Sequence, residues 1–102
     1  MRDQIIERIK KFREGLIKLS KEADDIIYDA IYEFGNSKGN EVVTKFIFYN
    51  DKEFVAHLKD SECYVEYKDG DNTVKELLED LPIDIKIMMV ISIEGKILGF
   101  WR

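Results

Sequence analysis

The chain holds one histidine, His57, and one cysteine, Cys63, six residues apart. Cysteine and histidine are the side chains from which a thiolate nucleophile and its base are built. Strand register decides whether these two can meet. With Asp60-Ser61 as a two-residue turn, His57 lies opposite Tyr64 and Cys63 opposite Leu58. Adjacent strand positions face opposite sides of a sheet. The pair is therefore expected to point apart, with Cys63 an inert buried thiol. One His and one Cys are too few for a structural zinc site. Residues 69–73, DGDNT, begin like a calcium loop, but the sixth position is Val74 rather than Gly and the twelfth Asp80 rather than Glu. The expectation there is a turn followed by a helix N-cap. The neighbours Asp24-Asp25 and Glu79-Asp80 would not face each other on a helix, so neither reads as an acid/base dyad. Phosphate-binding glycine loops and nucleophile elbows are missing from the sequence. The chain is expected not to be an enzyme, with no catalytic residue, no metal and no cofactor assigned.

Those residues must be positioned by elements, and the hydrophobic pattern is informative. Ile5, Ile9, Phe12, Leu16, Leu19, Ala23, Ile26 and Ala30 recur at alternating spacings of four and three. That is a heptad seam on one long helix. Ile6, Ile17, Ile27 and Ile31 widen it beyond a strict stripe. Asp3 is the expected N-cap and Gly35 the expected C-terminal stop, with Asn36 after it. A helix over 4–34 would be about 46 Å long. A domain of about 100 residues has a radius of gyration near ~13 Å. The helix therefore either breaks, near Ser20 to Asp25 or more weakly at Gly15, or projects and pairs.

Beyond the loop 35–41, VVTKFIFY-ND-KEFVAHLK reads as a hairpin on an Asn50-Asp51 turn. Cys63–Lys68 reads as a strand, and Val74, Leu77, Leu78 and Leu81 as an amphipathic helix capped by Thr73 and Glu76 and stopped by Pro82. The segment IKIMMVISI-EG-KILGFWR reads as a second hairpin on a Glu94-Gly95 turn. The two hairpins align at an offset of 44 residues and the helices before them at 47. With 49 opposite 52, one face of the first hairpin carries Ile47, Tyr49, Phe54 and Ala56. The matching face of the second carries Ile91, Ile93, Leu98 and Phe100. In this register Trp101 lies opposite Met88, at the place His57 holds in the first copy.

The expected fold is a single α+β domain over 1–102: two αββ motifs in tandem, a long N-terminal helix and mainly antiparallel strands. The first motif covers about 3–59, a linking strand 62–68, and the second motif about 73–102. The layout resembles the small orphan proteins of filamentous viruses that infect hyperthermophilic archaea. The paired hairpins FIFYNDKEFVAHLK and VISIEGKILGFWR carry that resemblance, with the Lys/Glu/Ile-rich helix before them. It implies an intracellular, host-phase viral protein without a known catalytic site.

Composition bears on partners. Net charge is −5, spread unevenly. Residues 1–21 hold seven Lys/Arg against three Asp/Glu, or +4, and 22–102 hold nine against eighteen, or −9. A pI of about 4.9 opposes phosphate binding by the body. The start MRDQIIERIKKF is charged throughout and lacks a secretory pattern, no apolar run reaches membrane-span length, and a lone cysteine suits a reducing compartment. The abundance of Lys, Glu and Ile suits a thermophile and equally an AT-rich genome. The function expected is a protein–protein interaction module that binds a protein or peptide in a groove between the two motifs. Its candidate contacts are Tyr49, His57, Tyr64, Tyr67, Met88 and Trp101. Self-association of two copies through the heptad seam is a second route. The alternatives are an acidic mimic of nucleic acid and nucleic-acid binding through the basic first helix.

Overall fold

The computed structural model describes residues 1–99; Phe100, Trp101 and Arg102 lie outside the described residues. Helix α1 runs over Arg2–Phe34 without a break. Five strands follow as β1 (Asn36–Lys38), β2 (Glu41–Ile47), β3 (Glu53–Lys59), β4 (Glu62–Asp69) and β5 (Asn72–Leu77). A 3-10 turn over Leu78–Asp80 leads into helix α2, Ile83–Leu98. The strands form one antiparallel meander in the order β1-β2-β3-β4-β5. Both helices cover one face of it, and the core lies between.

The chain is α+β with antiparallel strands, as expected, but the described residues do not form the tandem αββ arrangement. The expected helix over 74–81 is instead strand β5 and the 3-10 turn. Its apolar residues divide the work. Val74 pairs with Tyr67 on the core side of the sheet, while Leu78 and Leu81 enter the core from the turn. Thr73 lies in β5 opposite Lys68 and caps no helix. Residues 69–72 are a strand-to-strand turn, with Gly70 at φ +63. That is the left-handed region a glycine enters without steric cost. Pro82 opens α2 rather than ending a helix: its carbonyl accepts the Lys86 N–H at 3.2 Å.

The expected second hairpin is helix α2 as far as Leu98. Ile85, Met89 and Ile93 recur every fourth residue and are buried together, which is a helical face. The segment read as strands because its β-branched residues are apolar on nearly every side, and a short apolar run fits either period. Gly95 is therefore a buried helix residue, and the stop is Gly99, left-handed at φ 76.

The first hairpin is present but one residue out of the expected register. Phe46 pairs with Phe54 and Ile47 with Glu53. The Phe48 N–H donates to the Lys52 carbonyl, and the loop is Tyr49-Asn50-Asp51 with Asp51 at φ 65. A three-residue loop thus replaces the two-residue turn, and a one-residue slip exchanges faces. Thr44, Phe46 and Phe48 are buried with Phe54, Ala56 and Leu58. Ile47 does not share their face, and Tyr49 lies in the loop. The turn at Asp60-Ser61 is as expected, with both residues at positive φ and His57 opposite Tyr64.

The α1 N-cap is Met1, without a side-chain hydrogen bond, so Asp3 lies two residues past the cap, inside the first turn, and not in the expected role. Gly35 does follow the helix, but in extended backbone at φ −74. Its requirement is space. A Cβ there would stand 2.3 Å from the Ile31 carbonyl oxygen and 2.4 Å from Val42 Cγ1.

Only part of α1 reaches the core. Its buried residues are Ala23, Ile27, Ala30 and Ile31. The first nineteen residues include none that is buried, and the molecule measures 56 × 31 × 30 Å with a radius of gyration of 15.7 Å. Of the two alternatives posed by the length of α1, the helix takes projection.

Burial predicts which side chains stabilise this arrangement. Phe54 is wholly buried, so Phe54→Ala is expected to cost about 3–5 kcal/mol in urea unfolding. Ile17 is 60% exposed on the projecting half. Ile17→Ala is expected to shift stability by less than about 0.5 kcal/mol. Equal losses at the two positions would contradict a core confined to the second half of α1.

Candidate functional site

The uncovered face of the sheet gathers the polar side chains. His57 lies between two carboxylates from neighbouring strands. Its Nδ1 is 2.8 Å from Glu41 Oε1, and its Nε2 is 3.0 Å from Glu66 Oε1. The first contact is a hydrogen bond, while the second is too bent for one. Lys75 approaches Glu66 at 3.8 Å, and Lys45 pairs with Glu53 at 2.8 Å. The Tyr64 hydroxyl donates to Glu62. Glu41 and Glu66 sit at opposite edges of the imidazole, so one ion could not touch all three. Among the described residues, no group of three His, Cys, Asp or Glu is arranged to hold a metal.

Cys63 faces the other way, into the core, and is 2% exposed. Burial, with Asp24 and Glu79 adding negative charge nearby, pushes its thiol up to about 11. A nucleophilic cysteine needs the opposite shift. The sheet separates it from His57, whose partner across the strands is Tyr64.

A second polar group ties the helices together. Lys86 on α2 is 1% exposed. Its ammonium donates to Ser20 Oγ at 2.8 Å and lies 2.9 Å from Asp24 Oδ1, an approach too bent for a hydrogen bond. Farther along α2, the Lys96 ammonium sits 5.0 Å from the Phe34 ring centre. The helices therefore run side by side in the same direction. Nothing in the sequence pattern marked Lys86, because a lysine inside an apolar run reads as a solvated strand position.

Apolar surface gathers on the outer side of this helix pair. One groove of about 470 Å³ is lined by Ile26, Asp29, Ala30, Glu33, Phe34, Ile93 and Ile97. A second, of about 300 Å³, is lined by Leu19, Glu22, Ala23, Ile26, Ile87, Val90 and Ile91. Ile26 belongs to both, so they form one trough. The heptad seam continues from it along the projecting half of α1, where Ile5, Ile9 and Phe12 are 42–68% exposed.

The six residues expected as contacts do not converge. His57 and Tyr64 are cross-strand neighbours on the uncovered face. Tyr49 is exposed in the β2–β3 loop with its ring 4.2 Å from that of Phe48. Tyr67 lies on the covered face, 5.9 Å from the Phe54 ring, and Met88 packs on the core from α2. Trp101 lies outside the described residues. The expected groove between two motifs has no counterpart among the described residues. The trough between α1 and α2 is instead built from the heptad seam and from isoleucines that had been read as strand residues. No known protein family, curated protein or solved structure matches the chain.

Two measurements test these assignments. Lys86→Met removes the cation from a largely buried pair and is expected to cost about 2–4 kcal/mol, with Asp24→Leu in the same chain restoring most of it. Equal losses in the single and double variants would mean that packing, not charge, matters at Lys86. Cys63 is expected to react with a thiol-specific disulfide reagent at pH 8 only after unfolding, because the folded thiol stays protonated and covered. Rapid reaction of the native protein would contradict this.

Proposed function

We propose that the protein is a non-enzymatic protein–protein interaction module and that the projecting half of α1, with the trough beside it, is its docking surface. The observation that supports this is the solvated seam. Large aliphatic side chains at heptad spacing extend well past the body they could pack on. Burying one such side chain is worth about 1.5–3 kcal/mol, so a row of them is a standing drive toward association.

The chemistry of the seam favours a protein partner over nucleic acid. Arg8, Lys10, Lys11, Arg13, Lys18 and Lys21 frame the isoleucines rather than replace them. Phosphates would engage the cations and leave Ile5, Ile9 and Phe12 wet. A helix with an apolar stripe and basic flanks fits a hydrophobic groove with an acidic rim.

Affinity capture with the intact chain, alongside an Ile9→Asp, Leu16→Asp variant, tests the reading. A protein retained by the intact chain and lost from the variant is expected, with near-UV circular dichroism of the body unchanged. Equal retention by both chains would place the binding surface elsewhere. Retention of nothing by either, from a chain that is itself monomeric, would count against an interaction module.

A further inference from the structure

The trough has the shape and charge to receive the projecting helix of a second copy. We infer that the chain forms a two-fold symmetric dimer in which the two α1 helices pack antiparallel, the first half of each lying in the trough of the other. This rests on the interaction reading above and names its partner.

The seam itself gives the register. Its spacings read the same in both directions, so an antiparallel copy superposes every seam position when paired residue numbers sum to 35. Ile5 then meets Ala30, Ile9 meets Ile26, Phe12 meets Ala23 and Leu16 meets Leu19. The large residues of the first half fall on the two alanines of the second. Ala23 lies in the floor beside Ile87, Val90 and Ile91, where Phe12 would insert. Ala30 lies beside Ile93 and Ile97, where Ile5 would insert. A shift by one heptad in either direction leaves seam residues unpaired.

Charge agrees with shape. The inserting segment, residues 1–21, carries +4. The trough that receives it is rimmed by Glu22, Asp29, Glu33 and Glu94. In the same register Arg2 falls opposite Glu33, and Arg8 falls opposite Asp29 at a flanking heptad position. A parallel pair would instead set basic half against basic half. Two-fold symmetry makes each contact twice and closes the assembly at two copies.

Light scattering is expected to give twice the chain mass of 12.0 kDa. Phe12→Asp is expected to yield the monomer with its circular dichroism retained. Arg8→Glu, which sets like charges together twice, is expected to weaken the dimer at least about tenfold, and Asp29→Arg in the same chain to restore it. The register is read by cysteine bridging. Ile9→Cys with Ile26→Cys places thiols roughly 25 Å apart within one helix, so only a second copy can join them. Oxidation is expected to give a covalent dimer, while Ile9→Cys alone is not expected to bridge. Cys63, buried in the core, does not interfere. Bridging by Ile9→Cys alone would mean parallel helices and overturn the arrangement. A monomer that still captures a different protein through Ile9 and Leu16 would overturn the dimer and leave the interaction reading intact. A monomer that captures nothing would overturn both.

Discussion

A helix of 33 residues rises about 50 Å, while five strands at about 4.8 Å spacing set only about 19 Å between the first and last. One face of such a sheet cannot cover such a helix, and most features of the molecule follow from that mismatch. The half that meets the sheet carries small and branched residues, Ala23, Ile27, Ala30 and Ile31, which allow close approach. The other half keeps the same apolar period without a surface to use it on. A free segment of that length would be marginal as a helix in water. Continuity with the docked half removes the cost of nucleation, and Glu7–Lys10 adds a weak exposed pair. The projecting half is therefore preformed, so a partner need not order it on binding.

The second helix turns this mismatch into a site. Covering the sheet takes two helices, and α2 lies beside α1 where Lys86 joins Ser20 and Asp24. A buried lysine is a costly way to join helices, since its desolvation is only partly offset by one hydroxyl and one carboxylate. What it adds is direction. A leucine at 86 would pack against either end of α1, whereas an ammonium satisfied only near Ser20 and Asp24 sets how the helices lie along each other. The trough between Ile26 and the outer isoleucines of α2 depends on that alignment. The uncovered sheet face shows the contrasting solution. There His57 lies between Glu41 and Glu66, and Lys75 approaches Glu66, so these polar groups engage one another across strands.

Legibility in the sequence followed the strength of periodicity. The long helix was readable because eight seam residues cannot fit another period. Its fate was not, since projection and breakage differ only in what lies beneath residues 2–19. The meander was readable as far as its turns were local: Asp60-Ser61 gave the correct register for His57, Cys63 and Tyr64. FIFY misled because both of its faces are apolar, so either register satisfies alternation, and Asp51 at positive φ lengthened the loop by one residue. The larger error was to read α2 as a hairpin. Glu94-Gly95 looks like a turn, and isoleucine favours strands. The helix forms because Ile85, Met89 and Ile93 share a core face while its other sides meet α1 or the trough. A helix apolar on several sides has no amphipathic signature to detect. The apparent repeat grew from the same ambiguity, since short apolar elements align easily with one another.

The charge asymmetry acquires a physical role once the helix is known to project. Within one copy, +4 lies on the projecting segment and −9 on the remainder, and the long axis holds much of that segment away from the body. At physiological salt, fields between exposed charges fall off within about 8 Å. The basic half therefore gains little from its own acidic body, and arranging the chain this way does little for the monomer. The same separation becomes favourable when a basic, apolar helix meets an acidic, apolar trough at contact distance. The trough is apolar in its floor and acidic at its rim, and the helix is apolar along its seam and basic at its flanks. Two surfaces that match in both respects, and in the spacing of large against small residues, lie on one chain that cannot fold back to join them. A helix without a break near Gly15 or Ser20 forbids that closure within one molecule. The complementarity can be satisfied only between molecules.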